Sequence, residues 1–236
     1  MDPKKFFILS GLLIILLTCS LSEKEAKERL DRLDIEFSEE NLYYYVEQGD
    51  VDVVKLFLLA GMAPDVKRGD KTALLEAARR AHSEVALILI DAGSDINAKD
   101  RFGVTSLMFA AITGSDEIMK KLIERGADVN AKDNYGRTAL VEMLTTENDC
   151  PPEIIQTLID AGADVNVKIE RGLTPLMLAA DGDPKILRIL IDAGADLDAK
   201  DDFGTTAIIR AKDNPENFKI LKNAGAIDSS SRRNNT

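Results

Sequence analysis

From residue 37 onward the chain alternates short apolar stretches with polar turns on a steady beat. Leu107, Ala110 and Ala111 are followed by Ile118, Met119, Leu122 and Ile123, with Gly114 between the two sets. Apolar residues three and four apart mark one face of a helix, and the glycine between the sets interrupts it. The segment therefore predicts two short amphipathic helices in succession. The arrangement recurs: "IDAGSDINAKDRFGVTSL" from Ile90 returns from Ile123, Ile159 and Ile191, at steps of 33, 36 and 32 residues.

The punctuation of each copy has a mechanical reading. Thr72, Thr105, Thr138 and Thr174, with Thr206 in a shorter last copy, stand where a hydroxyl caps the first helix. Pro175 falls in a first turn, where its missing N–H costs nothing. A glycine such as Gly126 follows each second helix, at the place of a left-handed cap, and Asp128 and Asn130 are placed to satisfy turn backbone with their side chains. Ala77-Ala78, Ala110-Ala111 and Ala179-Ala180 let neighbouring helices approach closely. One such helix pair cannot bury its apolar face alone, whereas stacked copies can, which predicts a solenoid.

The 33-residue period, "GLTPLMLAA" at Gly172–Ala180 and "GADVNAKD" at Gly126–Asp133 resemble ankyrin repeats over residues 37–227. The resemblance implies an all-α ankyrin-repeat solenoid of about six stacked helix-turn-helix units with β-hairpin-like loops. The first copy, "NLYYYVEQGDVDVVKLFLLAGMAPDVK", lacks the threonine and reads as an N-terminal cap, and the shortened, polar last copy reads as a C-terminal cap. Residues 20–36 are expected as a charged helical tether and residues 228–236 as a disordered tail. The histidine usual after "TPL" in the family is replaced by Leu75, Met108, Val141 and Met177. The single histidine, His82 in "AHSEV", is expected to be structural. Three extra residues around "TTENDCPPE" lengthen one inter-helix connection and place Cys150 there.

The first residues are a separate object. Lys4 and Lys5 precede an uncharged apolar run from Phe6 to Leu17, which is the length of a signal-peptide core and shorter than the ~20 residues that a spanning helix prefers. Leu16-Leu17-Thr18-Cys19 resembles a bacterial lipobox, with Thr18 departing from the usual small residue. Residues 1–19 are thus read as a lipoprotein leader with lipidation at Cys19, as an uncleaved signal anchor, or as an ordinary cleaved signal peptide. Each reading exports the rest of the chain, and the first two attach it to a membrane at the cell envelope.

Charge and chemistry narrow the function. The formal charge is −11, so a basic groove for nucleic acid is not expected. The two cysteines, Cys19 and Cys150, and one histidine make neither a CxxC nor a Cys/His cluster, and no metal or other cofactor is expected. No P-loop, dinucleotide fingerprint or "GxSxG" is present, and a nucleophile with a base in reach is missing from the pattern. The expected function is non-enzymatic binding of another protein, without a small-molecule substrate. The alternative is an immunity-type or chaperone-like inhibitor or protector of an exported enzyme.

The resemblance points to hairpin tips and the concave face of the first helices as the contact surface. On the tips these are Arg101, Phe102 and Val104; Asn134, Tyr135 and Arg137; Glu170, Arg171 and Leu173; and Asp202, Phe203 and Thr205. On the inner helices they include Arg79, Arg80, Ile112 and Thr113. Phe102, Tyr135, Arg171 and Phe203 share one column, and aromatics and arginine dominate interface energetics. A second column, Lys67, Lys99, Lys132, Lys168 and Lys200, is expected to be neutralised by Asp100, Asp133 and Asp201 beside it.

Overall fold

The computed structural model describes residues 21–146 and 151–228. The expected leader with Cys19, the loop position of Cys150 and residues 229–236 of the tail lie outside the described residues. The chain divides into two compact units, Met1–Arg101 and Phe102–Thr236.

In the first unit, the described helices are α1 (Glu23–Arg32), α2 (Glu39–Gln48), α3 (Val51–Leu59), α4 (Ala73–Arg79) and α5 (Ser83–Asp91). Between α3 and α4, β1 (Lys67–Arg68) and β2 (Lys71–Thr72) form a two-residue antiparallel ladder, Lys67 opposite Thr72 and Arg68 opposite Lys71. Four of these helix starts carry side-chain caps: Ser22 forms a capping box with Glu25, and Ser38, Asp50 and Thr72 accept from the third amide of their helices. Helices α2 and α4 pack together as an inner row, and α3 packs on α5 as an outer row. Leu42, Val46, Val54, Phe57, Leu74, Leu75 and Leu89 fill the space between them. Phe37 stacks on Phe57 with ring centroids 5.8 Å apart.

Helix α1 extends the outer row. The segment expected as a charged tether is docked on α3, and Ala26 and Leu30 are fully buried there. Two apolar residues four apart on an otherwise charged helix make a stripe just wide enough to close the end of the row. His82 has the structural part expected of it: its Nε2 lies 3.1 Å from the Glu47 carbonyl, and its ring covers Gly49, where a Cβ would meet Nδ1 at 2.8 Å.

In the second unit, the inner row is α6 (Ser106–Thr113), α8 (Ala139–Thr145), α10 (Pro175–Leu178) and α12 (Ala207–Arg210). The outer row is α7 (Asp116–Glu124), α9 (Pro152–Asp160), α11 (Pro184–Asp192) and α13 (Pro215–Ala224). Thr105, Thr138 and Thr174 cap their helices by accepting from the amides of Met108, Val141 and Met177. Thr206 departs from the expectation. Helix α12 is a single turn whose Ile209 and Arg210 amides go to the Thr206 carbonyl, so the buried hydroxyl is left without a partner. Both α10 and α12 tighten into 3₁₀ turns, Ala179–Asp181 and Ala211–Asp213.

Neighbouring copies are tied below the hairpins by asparagine. Asn130 Nδ2 donates to the Gly162 carbonyl at 2.8 Å, and its Oδ1 accepts from the Asp164 amide at 2.7 Å. Asn166 repeats both bonds with Gly194 and Asp196. Asp128 braces its own turn as expected, accepting from the Asn130 amide, but Asn130 itself holds the next copy.

Candidate functional site

Two hairpin tips are built around the aspartate that opens the turn. Asp133 Oδ1 accepts the amides of Tyr135 and Arg137, both at 2.8 Å, and Oδ2 receives Arg137 Nε at 3.0 Å. The Arg137 guanidinium continues to Glu142 on α8, 3.0 Å away, so the tip is clamped to the inner helix. It also lies 5.3 Å from the centroid of the Tyr135 ring. In the last copy Asp201 accepts the amides of Phe203 and Thr205, and Arg210 from α12 supplies the clamp at 3.0 Å. Burial alone would raise the Asp201 carboxyl, but these amides and Arg210 hold it below the usual carboxylate range. Asp133 and Asp201 are therefore taken up by their own hairpins and by arginine. They do not serve as counterions for the lysine column, because their oxygens face inward to the turn amides.

The tips also bond to one another. The Asn134 amide donates to the Phe102 carbonyl at 2.9 Å, and the Asp202 amide donates to the Arg171 carbonyl at 3.0 Å. Glycine permits this approach: a Cβ on Gly103 would meet Asn134 Oδ1 at 2.9 Å and its amide nitrogen at 3.1 Å, and one on Gly172 would meet Asp202 Oδ1 at 3.0 Å. The junction between these two differs. Among the described residues, no bond joins the Glu170 amide to the Tyr135 carbonyl, and nothing lies within 4 Å of where a Cβ on Gly136 would be.

A cleft of about 370 Å³ opens there, lined by Tyr135, Arg137, Ile169, Glu170, Arg171 and Leu173. Ile169 occupies the place that Asp133 and Asp201 hold in their hairpins, so this tip lacks the carboxylate brace. Its turn is closed by backbone alone, Ile169 amide to Leu173 carbonyl and Gly172 amide to Ile169 carbonyl. Arg171 sits in the left-handed region at φ 64°, which is unusual for a residue with a side chain. Among the described residues its guanidinium makes no ion pair.

The inner face of the first unit carries a denser charge network. Glu76 on α4 is 2% exposed and is paired with both Arg79 and Arg80. Arg80 reaches on to Glu47 at 3.3 Å, and Arg68 pairs with the same Glu47 at 2.6 Å. The Arg68 guanidinium also lies 4.5 Å from the centroid of the Tyr43 ring. Burial works to raise the Glu76 carboxyl, but hydrogen bonds and charge from the two arginines prevail and bring it down to about 2. Burial, with Glu76 and Glu47 near, pushes the Tyr43 phenol up to about 12.

The structure brings together Tyr135, Arg137 and Arg171 around one cleft, with Asn134 and Asp202 bonding adjacent tips. The three aromatics of the column are held out to solvent, Phe102 at 46%, Tyr135 at 60% and Phe203 at 77% exposure. Arg101 is in the first unit, where its amide donates to Asp70 at 2.8 Å. Arg79 and Arg80 are part of the Glu76 network, so both arrive at the surface already paired. Thr113 turns its hydroxyl back to the Phe109 and Ala110 carbonyls, and Ile112 beside it is half-buried. Sequence reasoning missed Ile169 as a cleft residue, although its departure from the Asp column was the available signal. It also missed Glu76 and Glu142, whose arginine partners lie within five residues. Among the described residues, no group of three His, Cys, Asp or Glu side chains is arranged to hold a metal ion.

The family model for ankyrin repeats in three copies matches residues 11–100, 42–133, 99–169 and 143–232. These matches span most of the chain, which belongs to the ankyrin-repeat family. Repeats of this family generally mediate protein–protein interaction and are typically non-enzymatic. Comparison with curated proteins found no match to this chain.

Proposed function

We propose that the protein binds another protein through the hairpin tips of the Phe102–Thr236 unit, and that it does so without catalysis. The observation that carries this reading is the column of exposed aromatics on tips that are already fixed. Phe102, Tyr135 and Phe203 stand in solvent, while the backbone beneath them is bonded within each turn or from tip to tip. With the backbone of each tip already fixed, binding orders little loop, and aromatic side chains are the type that carries much of an interface's energy. The test is the triple variant Phe102→Ala, Tyr135→Ala, Phe203→Ala, assayed for affinity against a partner first recovered with the wild-type protein. Affinity is expected to fall at least a hundredfold with the thermal midpoint unchanged. Equal affinity in the triple variant would remove the tips as the binding surface.

We propose further that the protein is exported and held at the envelope by its N-terminus. The support is the order of Lys4, Lys5, the apolar run and Cys19 in the sequence. No helix of the described residues is long and apolar enough to cross a membrane. Mass spectrometry of the membrane fraction separates the routes: a chain that starts at a lipid-modified Cys19 marks a lipoprotein, and an intact N-terminus marks an anchor. Recovery of the chain only in the cytosol would overturn export.

A further inference from the structure

We propose that the cleft between the Tyr135 and Arg171 tips receives a peptide segment of the partner that carries a single carboxylate among aliphatic residues. This rests on the protein-binding reading and names the chemistry of its central contact. Three features of the cleft specify the occupant. Tyr135, Ile169 and Leu173 give it an apolar wall. The Arg171 guanidinium, without an ion pair among the described residues, gives it a cation, whereas Arg137 is committed to Asp133 and Glu142. The Glu170 amide and the Tyr135 carbonyl, unbonded to each other, give it a backbone donor and acceptor that are matched at the neighbouring junctions.

Glu170 also lines the cleft and repels a second negative charge there. A run of acidic residues is therefore disfavoured, as is phosphate with its higher charge. The fitting occupant places one Asp or Glu at Arg171 and a neighbouring Val, Leu or Ile against Ile169 and Leu173. The tip has the form of a site that gave up local stability for this. Asp at position 169 would brace the turn as it does at 133 and 201, and glycine at 171 would relax the backbone.

The test uses the full chain and three dye-labelled peptides capped at both ends: Ala-Val-Glu-Val-Ala, its Gln counterpart, and Ala-Glu-Glu-Glu-Ala. Fluorescence anisotropy is expected to show the single-Glu peptide binding at least tenfold more tightly than either of the others. The Glu170 amide signal should shift on titration. Arg171→Gln and Arg171→Gly should both abolish the preference, and the glycine variant suits the left-handed backbone, so misfolding cannot account for its loss. Equal binding of the three peptides, no binding of the single-Glu peptide to 5 mM on the order of the weakest useful contacts, or a preference that survives both variants would each overturn the proposal. The two readings fail separately. A recovered partner that is weakened by Phe102→Ala with Phe203→Ala, but not by Arg171→Gln, removes the cleft and keeps the tips.

Discussion

Glu76 and Glu142 each stand four residues after a capping threonine, Thr72 and Thr138, and their carboxyls are displaced in opposite directions. Glu76 meets two arginines and is held at about 2. Glu142 is pushed up by burial: its single arginine, Arg137, is shared with Asp133, whose own charge adds to the rise. One position in the repeat thus yields an acid-labile clamp in one copy and a reluctant carboxylate in another.

The two residues give opposite pH dependence. Glu76 is depressed in the fold, so its stabilisation is fully present above its ordinary value of 4.5 and is lost as pH falls toward 2. Glu76→Gln is expected to cost up to about 3 kcal/mol at pH 7 and much less near pH 2.5, as read by urea midpoints at both values. Glu142 is raised, so its protonated form favours the fold and stability is lost as pH rises through the raised value. Glu142→Gln is expected to change stability by less than about 1 kcal/mol at pH 7.

Gly103 and Gly136 have the same φ of 78°, which makes them a matched pair. Alanine at either position pays the left-handed penalty of about 1 kcal/mol. At Gly103 it also collides with Asn134, whereas at Gly136 it enters open space. Gly103→Ala is expected to destabilise by at least about 1 kcal/mol more than Gly136→Ala, measured by chemical denaturation. Equal losses would mean that the first junction is as loose as the second.

Ala81 has φ 57° just past the end of α4, and its amide and that of His82 bond to the Ala78 and Ala77 carbonyls. The backbone wants glycine here, as found at Gly49 and Gly114. Ala81→Gly is expected to stabilise the protein by about 1 kcal/mol, read as a higher thermal midpoint. A lower midpoint would show that the Ala81 methyl packs more than it strains.

The helices, their threonine caps apart from Thr206, and their closing glycines were legible because each follows from a rule acting over a few neighbouring residues. The aromatic column was legible for the same reason, once the copies were aligned. The inner-face arginines were named as contacts without their pairing being foreseen, although Glu76 three and four residues before them already specified it. The Asp133 and Asp201 brackets were harder to foresee. An aspartate beside a lysine looks the same in sequence whether it faces that lysine or turns inward to amides. The cleft was not legible at all. Ile169 is visible as an odd letter, but the bond missing between Glu170 and Tyr135 is a relation between copies, and no single copy contains it.

The junction that lacks its tip bond is still fastened lower down, where Asn130 grips Gly162 and Asp164. Two copies joined at the base and parted at the rim behave as the jaws of a peg. A load on the second unit would spread them first at Tyr135 and Arg171, while the junctions at Phe102 and Asp202 stay closed. An occupant that wedges between those jaws would stiffen the array, so binding at one tip would be felt as tension along its neighbours.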